Sequence, residues 1–166
     1  MTLTLILTRH AKSAWDDPAL DDFERPLNGR GRSSALKIGQ WLAGQGYLPD
    51  TVLVSGARRT VETWSRMASV MPSTATMESV PALYHASADT ILNVLRARNS
   101  PAIMLIAHNP GIAEFASRIL DALPDHEKFA SYPTCATSVI EFDAPAWRDI
   151  GWGQGRLADF VVPREL

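Results

Sequence analysis

The 166-residue chain has one cysteine, Cys135, so no intrachain disulfide can form, and neither a CxxC pair nor a Cys/His metal-binding spacing occurs. It lacks a charge excess. Sixteen lysines and arginines stand against eighteen aspartates and glutamates, for a net charge of −2, which excludes the basic surplus of a general nucleic-acid binder. Long apolar runs are also missing. The stretch over residues 3–7 is too short for a membrane span or a signal h-region, and no basic n-region precedes it. A cytoplasmic protein that binds neither membrane nor nucleic acid is therefore expected. Internal repeats, low-complexity tracts and linkers are absent, so a single domain over residues 1–166 is expected.

What the chain does have is strand and helix in alternation. Short apolar runs at 3–7, 51–54 and 102–107 read as buried strands, a weaker one lies at 77–80, and late strands fall at 137–142 and 156–162. Residues 9–27 are rich in aspartate and proline and read as loop. Asn28 suits a helix cap ahead of an apolar stripe at Ala35, Ile38 and Leu42, with Gly44 and Gly46 ending the helix. Further helices are expected over 57–71, stopped by Pro72, over 88–98, and from Gly111 to about Leu120. The expected fold is α/β, a three-layer sandwich whose mostly parallel central sheet is flanked by helices on both faces. Trp147 and Trp152, in a Pro/Gly-rich tail, read as packing anchors.

Ligands of parallel sheets bind beyond the carboxyl ends of the strands. The first strand delivers Arg9 and His10 there, the second Ser55-Gly56-Ala57-Arg58-Arg59, and the fourth His108-Asn109-Pro110-Gly111. Arginine matches phosphate oxygens with a planar fork, and two arginines would neutralise a transferring phosphoryl group. A histidine beside them can attack phosphorus. Arg9, His10, Arg59 and His108 supply these parts without a metal or other cofactor, and the N–H groups opening the helix at 109–111 also favour an anion.

These residues resemble the signature of the histidine phosphatase superfamily, whose fold is phosphoglycerate-mutase-like. Thr8-Arg9-His10-Ala11 is similar to its first motif. The fuller set Arg9-His10-Ala11-Lys12-Ser13, Arg25-Pro26-Leu27 and Gly31 resembles the bacterial SixA-like phosphohistidine phosphatases. The strand ending in Ser55, with Arg59 four residues later and Glu62-Thr63 following, is similar to the second motif, and Ala107-His108-Asn109-Pro110-Gly111 to the third. The resemblance implies that His10 is the nucleophile that becomes phosphorylated. It implies that Arg9 and Arg59 hold the phosphoryl group and that His108 contacts the same oxygens, before water hydrolyses the intermediate. Two departures stand out. Gly56 replaces the usual proline after the serine, which implies a more flexible loop. The stretch from Pro81 to Asp89 holds no glutamate where larger members place a general acid, as in short SixA-like members. Since an alkoxide leaving group needs a proton and a protonated phosphoramidate needs that help less, the absence favours P–N substrates. His85 and Asp89 are the candidate donors.

Plainer readings compete at several positions. Spacing favours Arg59 over Arg58, which reads as a solvated helix residue. Lys12 suits either added potential at the mouth or simple exposure. Ser13 and Asn109 suit either substrate binding, by donating to phosphate, or loop capping. His126 reads as a surface residue and Cys135 as a small buried filler. The acidic run Asp16, Asp17, Asp21, Asp22 and Glu24 fails the EF-hand spacing and reads as a solvated loop that caps helices or pairs with Arg25. Gly29-Arg30-Gly31-Arg32 follows no strand and reads as a helix start. The function expected is a metal-independent phosphatase acting on phosphohistidine of a protein, for instance a phosphotransfer domain. A phosphatase of a small phosphomonoester is the alternative, and a non-catalytic phosphate-recognition module a further one.

Overall fold

The apolar run beginning at Leu3 becomes an inner strand of a six-stranded sheet. A computed structural model describes residues 2–166. In chain order the elements are β1 (Thr2–Arg9), α1 (Gly29–Gln45), β2 (Thr51–Val54), α2 (Arg58–Ala68), β3 (Thr76–Ser79), α3 (Ala88–Arg96), β4 (Ala102–Ala107), α4 (Gly111–Ile119), β5 (Thr137–Asp143) and β6 (Arg156–Val161). The strand order across the sheet is β3-β2-β4-β1-β5-β6. β1 pairs parallel with β4 and antiparallel with β5, and β5 pairs antiparallel with β6, so β5 alone runs against the others.

Side-chain alternation explains why the strands are almost wholly apolar. Leu5, Leu7, Leu53, Ile103 and Leu105 point to one face, where Ile91, Leu95, Ile112 and Phe115 of α3 and α4 cover them. Ile6, Val52, Val54, Met104 and Ile106 point to the other, under Ile38, Leu42, Trp64 and Met67 of α1 and α2. Both faces are covered, so the inner strands are apolar in either register, and the buried exceptions Thr8, Thr137 and Ser138 are hydrogen-bonded. This is the three-layer α/β sandwich expected from the sequence.

The helix ends follow local chemistry. The Asn28 side chain accepts the Gly31 N–H at 2.8 Å and starts α1. Gly46 ends it in the left-handed conformation at φ +79°, so Gly44 lies inside the helix rather than ending it. α2 stops at Ala68, earlier than expected, because residues 69–71 unwind into turns ahead of Pro72. α3 stops at Arg96. The edge strand β3 begins at Thr76 and is exposed throughout. Trp147 is buried against Phe142, and Trp152 lies edge-on to Phe115, so both tail tryptophans do anchor the tail. Among the described residues no helix is long and apolar enough to cross a membrane.

β1, β2 and β4 run parallel and end at one edge of the sheet, which brings Arg9, Ser55 and His108 together. The N-terminus of α4 is held against the 85–87 segment by Gly111, where a Cβ would lie 1.8 Å from the Ala86 carbonyl oxygen. Gly111→Ala should therefore destabilise the protein by at least about 1–3 kcal/mol, since backbone must move to admit the methyl group. Urea unfolding measures this; an unchanged midpoint would contradict the close packing.

Candidate active site

His10 sits one residue beyond β1 and is still tied to the sheet, since its N–H donates to the Ala107 carbonyl of β4 at 3.1 Å. Its ring is nearly buried, at 7% exposure. Nδ1 lies 2.7 Å from the Ala11 carbonyl oxygen. A carbonyl only accepts, so Nδ1 carries the proton and Nε2 keeps its lone pair. Burial, with the nearby Arg59, Arg9 and Arg25, pushes the ring pKa down from 6.5 to about 3 against the opposing pull of that hydrogen bond. Ala11 is itself fixed from α2. The Thr63 hydroxyl accepts the Ala11 N–H at 3.0 Å and donates to the Arg59 carbonyl at 2.6 Å. The neighbouring Glu62 accepts the Leu27 N–H at 3.0 Å, which fastens the 10–27 loop to the same helix. Glu62-Thr63 thus acts as a structural clamp.

Three guanidinium groups and one carboxylate line the cavity that His10 borders, whose volume is about 370 Å³. Arg9 donates from Nη1 to the Tyr132 carbonyl at 3.2 Å, and burial followed by the charge of Arg59 lowers its pKa. Arg59 is 2% exposed, whereas Arg58 is exposed. Arg59 Nη2 pairs with Asp22 Oδ2 at 3.0 Å and Nη1 donates to the Asp22 carbonyl at 2.7 Å. Arg25 pairs with Asp22 Oδ1 at 3.0 Å and donates to the Ser13 hydroxyl at 2.9 Å. The Tyr84 hydroxyl also donates to Asp22 Oδ2, and His85 Nε2 lies 3.4 Å from that oxygen. Burial alone would raise the Asp22 pKa, but Tyr84 and Arg59 hold it well below the usual carboxylate range.

His108 follows β4 directly, with its ring centroid 5.2 Å from that of His10. Burial, then the proximity of His10 and Arg59, lowers its pKa to about 3. Its Nε2 lies 2.7 Å from Ser55 Oγ. Its Nδ1 is buried and has no partner. Arg9 Nε and Arg59 Nε are also buried without partners. Buried donors of this kind are rare unless a ligand satisfies them.

The backbone around the cavity is strained. His85, Tyr132 and Cys135 are the non-glycine residues with left-handed backbones among those described, at φ +53°, +48° and +63°. Each serves the site. His85 lines the cavity, the Tyr132 carbonyl receives Arg9 and Asn109, and the Cys135 N–H reaches the carbonyls of Arg9 and His10. Gly56 adopts φ +90°, which proline cannot. The replacement at that position therefore gives the loop a different backbone path rather than only more freedom, and Arg59 still reaches the cavity.

Arg9, His10, Arg59 and His108 are brought together as the sequence suggested, and Ser13, Lys12 and Asn109 border the same cavity. The Asn109 amide donates to the Ser131 and Tyr132 carbonyls at 2.9 and 3.2 Å, so its N–H groups hold the loop. Of the two proton-donor candidates, His85 lines the cavity. Asp89 instead faces Arg118 at 3.6 Å and is left out. His126 is half-buried and meets Glu165 at 3.2 Å. Cys135 is buried, and burial pushes its thiol pKa up, so it packs as a filler. The acidic loop does pair with Arg25, as expected, but through Asp22 it also enters the cavity. Asp22, Thr134 and Trp15, which line the cavity, and Tyr84, which holds Asp22, were missed as site residues, because their positions depend on how the loops fold back over the sheet edge.

Two neutral buried histidines make stability fall in acid. Between pH 6.5 and about 3 the unfolded chain binds protons that the folded rings refuse, so stability is complete above pH 6.5 and declines as pH drops below it. The expected loss is up to about 2 kcal/mol per histidine by about pH 5. Urea unfolding at neutral pH and about pH 5 measures the slope. A His10→Gln/His108→Gln variant should flatten it, and an equal slope in that variant would contradict the assignment.

The chain matches the family model of the histidine phosphatase superfamily (branch 1) over residues 5–83. It is 31% identical over 174 residues to an uncharacterized chloroplastic protein of Arabidopsis thaliana, across 96% of this chain and 77% of that one. Among solved structures it superposes on a candidate phosphohistidine phosphatase SixA from Nakamurella multipartitia with a TM-score of 0.82 and 26% identity, covering 98% of this chain and 97% of that one. A phosphoglycerate mutase from Plasmodium falciparum shares the fold at a TM-score of 0.65 and 18% identity, over 96% of this chain and 90% of that one. With His10, Arg9, Arg59 and His108 gathered at the carboxyl edge of such a sheet, the chain belongs to the histidine phosphatase superfamily.

Proposed function

We propose that this chain, as one domain over residues 1–166, removes the phosphoryl group from phosphohistidine on a protein, such as a histidine phosphotransfer domain, through a covalent intermediate on His10. The observation that carries the reading is the pair of buried guanidinium donors without acceptors, Arg9 Nε and Arg59 Nε, together with the unpartnered His108 Nδ1, beside a neutral His10. A phosphoryl group would satisfy all three, with His108 in its Nδ1–H form. His10 Nε2 attacks phosphorus, the P–N bond of the substrate breaks, and its imidazole leaves. Water then attacks the phosphorus on His10, the new P–N bond breaks, phosphate departs, and His10 regains its neutral Nδ1–H form. Arg9 and Arg59 hold the oxygens whose charge develops, and His108 donates to one of them; Ser13 binds the group through its hydroxyl hydrogen. Asn109 shapes the cavity wall.

The substrate class follows from proton supply. Asp22 is the carboxylate that lines the cavity, and Tyr84 and Arg59 keep it ionised, so it holds no proton to give at neutral pH. An alkoxide leaving group would go without that help. A phosphorylated imidazole that already carries a proton leaves as a neutral ring. His85, at the rim beside Asp22, stands where it can take a proton from the attacking water in the second step and release it to solvent.

Purified protein in chelator should dephosphorylate a histidine-phosphorylated protein faster than an aryl phosphate. His10→Ala should lower that rate by roughly a thousandfold or more and abolish the acid-labile phosphoenzyme. Rapid aryl phosphate hydrolysis with no action on phosphohistidine would support the small-phosphomonoester alternative, and an active His10→Ala variant would remove the nucleophile.

A further inference from the structure

A second pocket, of about 210 Å³, adjoins the catalytic cavity and shares Lys12 and Thr134 with it. Four cations from four separate segments converge on it. They are Lys12 after β1, Arg30 in α1, Lys128 in the connection to β5, and Arg164 in the C-terminal turn. Ser34 and Thr134 add hydroxyl groups. Among the described residues none of the four forms an ion pair. Glu165, the acid next to Arg164, is taken up by His126 and by the Val162 N–H.

This grouping opposes stability. Like charges repel, and Arg30 stands in the first turn of α1, where the helix dipole favours acids and none is present. It also occurs in a chain whose net charge is −2, so it is not the overflow of a basic protein. Convergence of unpaired cations at a concave site suits an anion. Because the pocket shares Lys12 and Thr134 with the catalytic cavity, an anion there can belong to the molecule whose phosphoryl group lies on His10. The catalytic cavity is also lined by Trp15, 77% exposed and stacked on Arg25 at 3.4 Å. An exposed tryptophan offers nothing to a small polyanion but suits a protein surface.

We infer that the Lys12–Arg30–Lys128–Arg164 pocket is an anion subsite that docks an acidic side chain of the phosphorylated protein while its phosphohistidine occupies the catalytic cavity. The inference rests on the phosphohistidine-protein reading and adds to it a sequence preference for acidic residues flanking the phosphohistidine. The catalytic groups are untouched by the subsite, so its contribution falls on KM.

Two histidine peptides phosphorylated with phosphoramidate test it, one with glutamates flanking the histidine and one with glutamines. At low salt the wild-type protein should prefer the acidic peptide by about fivefold in kcat/KM, the size expected of two partly exposed ion pairs. The preference should vanish in Arg30→Gln/Arg164→Gln and in about 0.5 M salt, with turnover of the neutral peptide unchanged in the variant. Equal use of the two peptides by the wild type, or a preference that survives in the variant, would overturn it. A preference for a hexose bisphosphate over its monophosphate that the variant loses, with none between the peptides, would overturn it in favour of a small bisphosphorylated substrate. If the wild type hydrolyses aryl phosphate but neither peptide, the phosphohistidine reading fails instead. The subsite is then decided with the unphosphorylated acidic peptide as inhibitor: inhibition that the variant loses supports it, and no inhibition overturns it.

Discussion

The hydrogen bond from His10 Nδ1 to the Ala11 carbonyl is the interaction on which the rest of the site depends. It fixes the ring tautomer and leaves Nε2 as a lone pair. Burial first, and then the three arginines near the ring, make protonation unfavourable, so the charges that suit a phosphoryl group also help to keep its attacker neutral. The fold holds this bond in place from two sides. β4 grips the His10 N–H, and Thr63 of α2 grips the Ala11 N–H. Thr63 also ties Ala11 to Arg59, so the nucleophile and one clamp are set by one helix turn.

Asp22 gives the site its charge balance without ligand. Its carboxylate bridges Arg59 and Arg25 and is held by Tyr84. Three guanidinium groups in one cavity repel, and a carboxylate paired with two of them relieves part of that cost. The strained backbones at His85, Tyr132 and Cys135 surround the same cavity, as expected where geometry is held against local preference.

Much of this was legible in the sequence, for a physical reason. Strands buried on both faces must be continuous apolar runs, so β1, β2 and β4 announced themselves and their ends pointed to Arg9, Ser55 and His108. Asn28 and Gly46 marked the ends of α1 through chemistry local to each residue. What escaped was non-local. Asp22 lies in a loop with four other acids, and nothing in its neighbours distinguishes the one that folds back onto Arg59, 37 residues away. The basic pocket draws on Lys12 and Arg164, which lie at opposite ends of the chain. The stop of α2 at Ala68 depended on how the turn before Pro72 settles.

The central claim is that His10 attacks through Nε2 while Nδ1 stays bound to Ala11. Trapping the phosphoenzyme by rapid denaturation in alkali and reading the phosphorus–nitrogen connectivity of His10 by NMR tests it directly. Phosphate on Nε2 is the result this account predicts. Phosphate on Nδ1, or on His108 in place of His10, would contradict it.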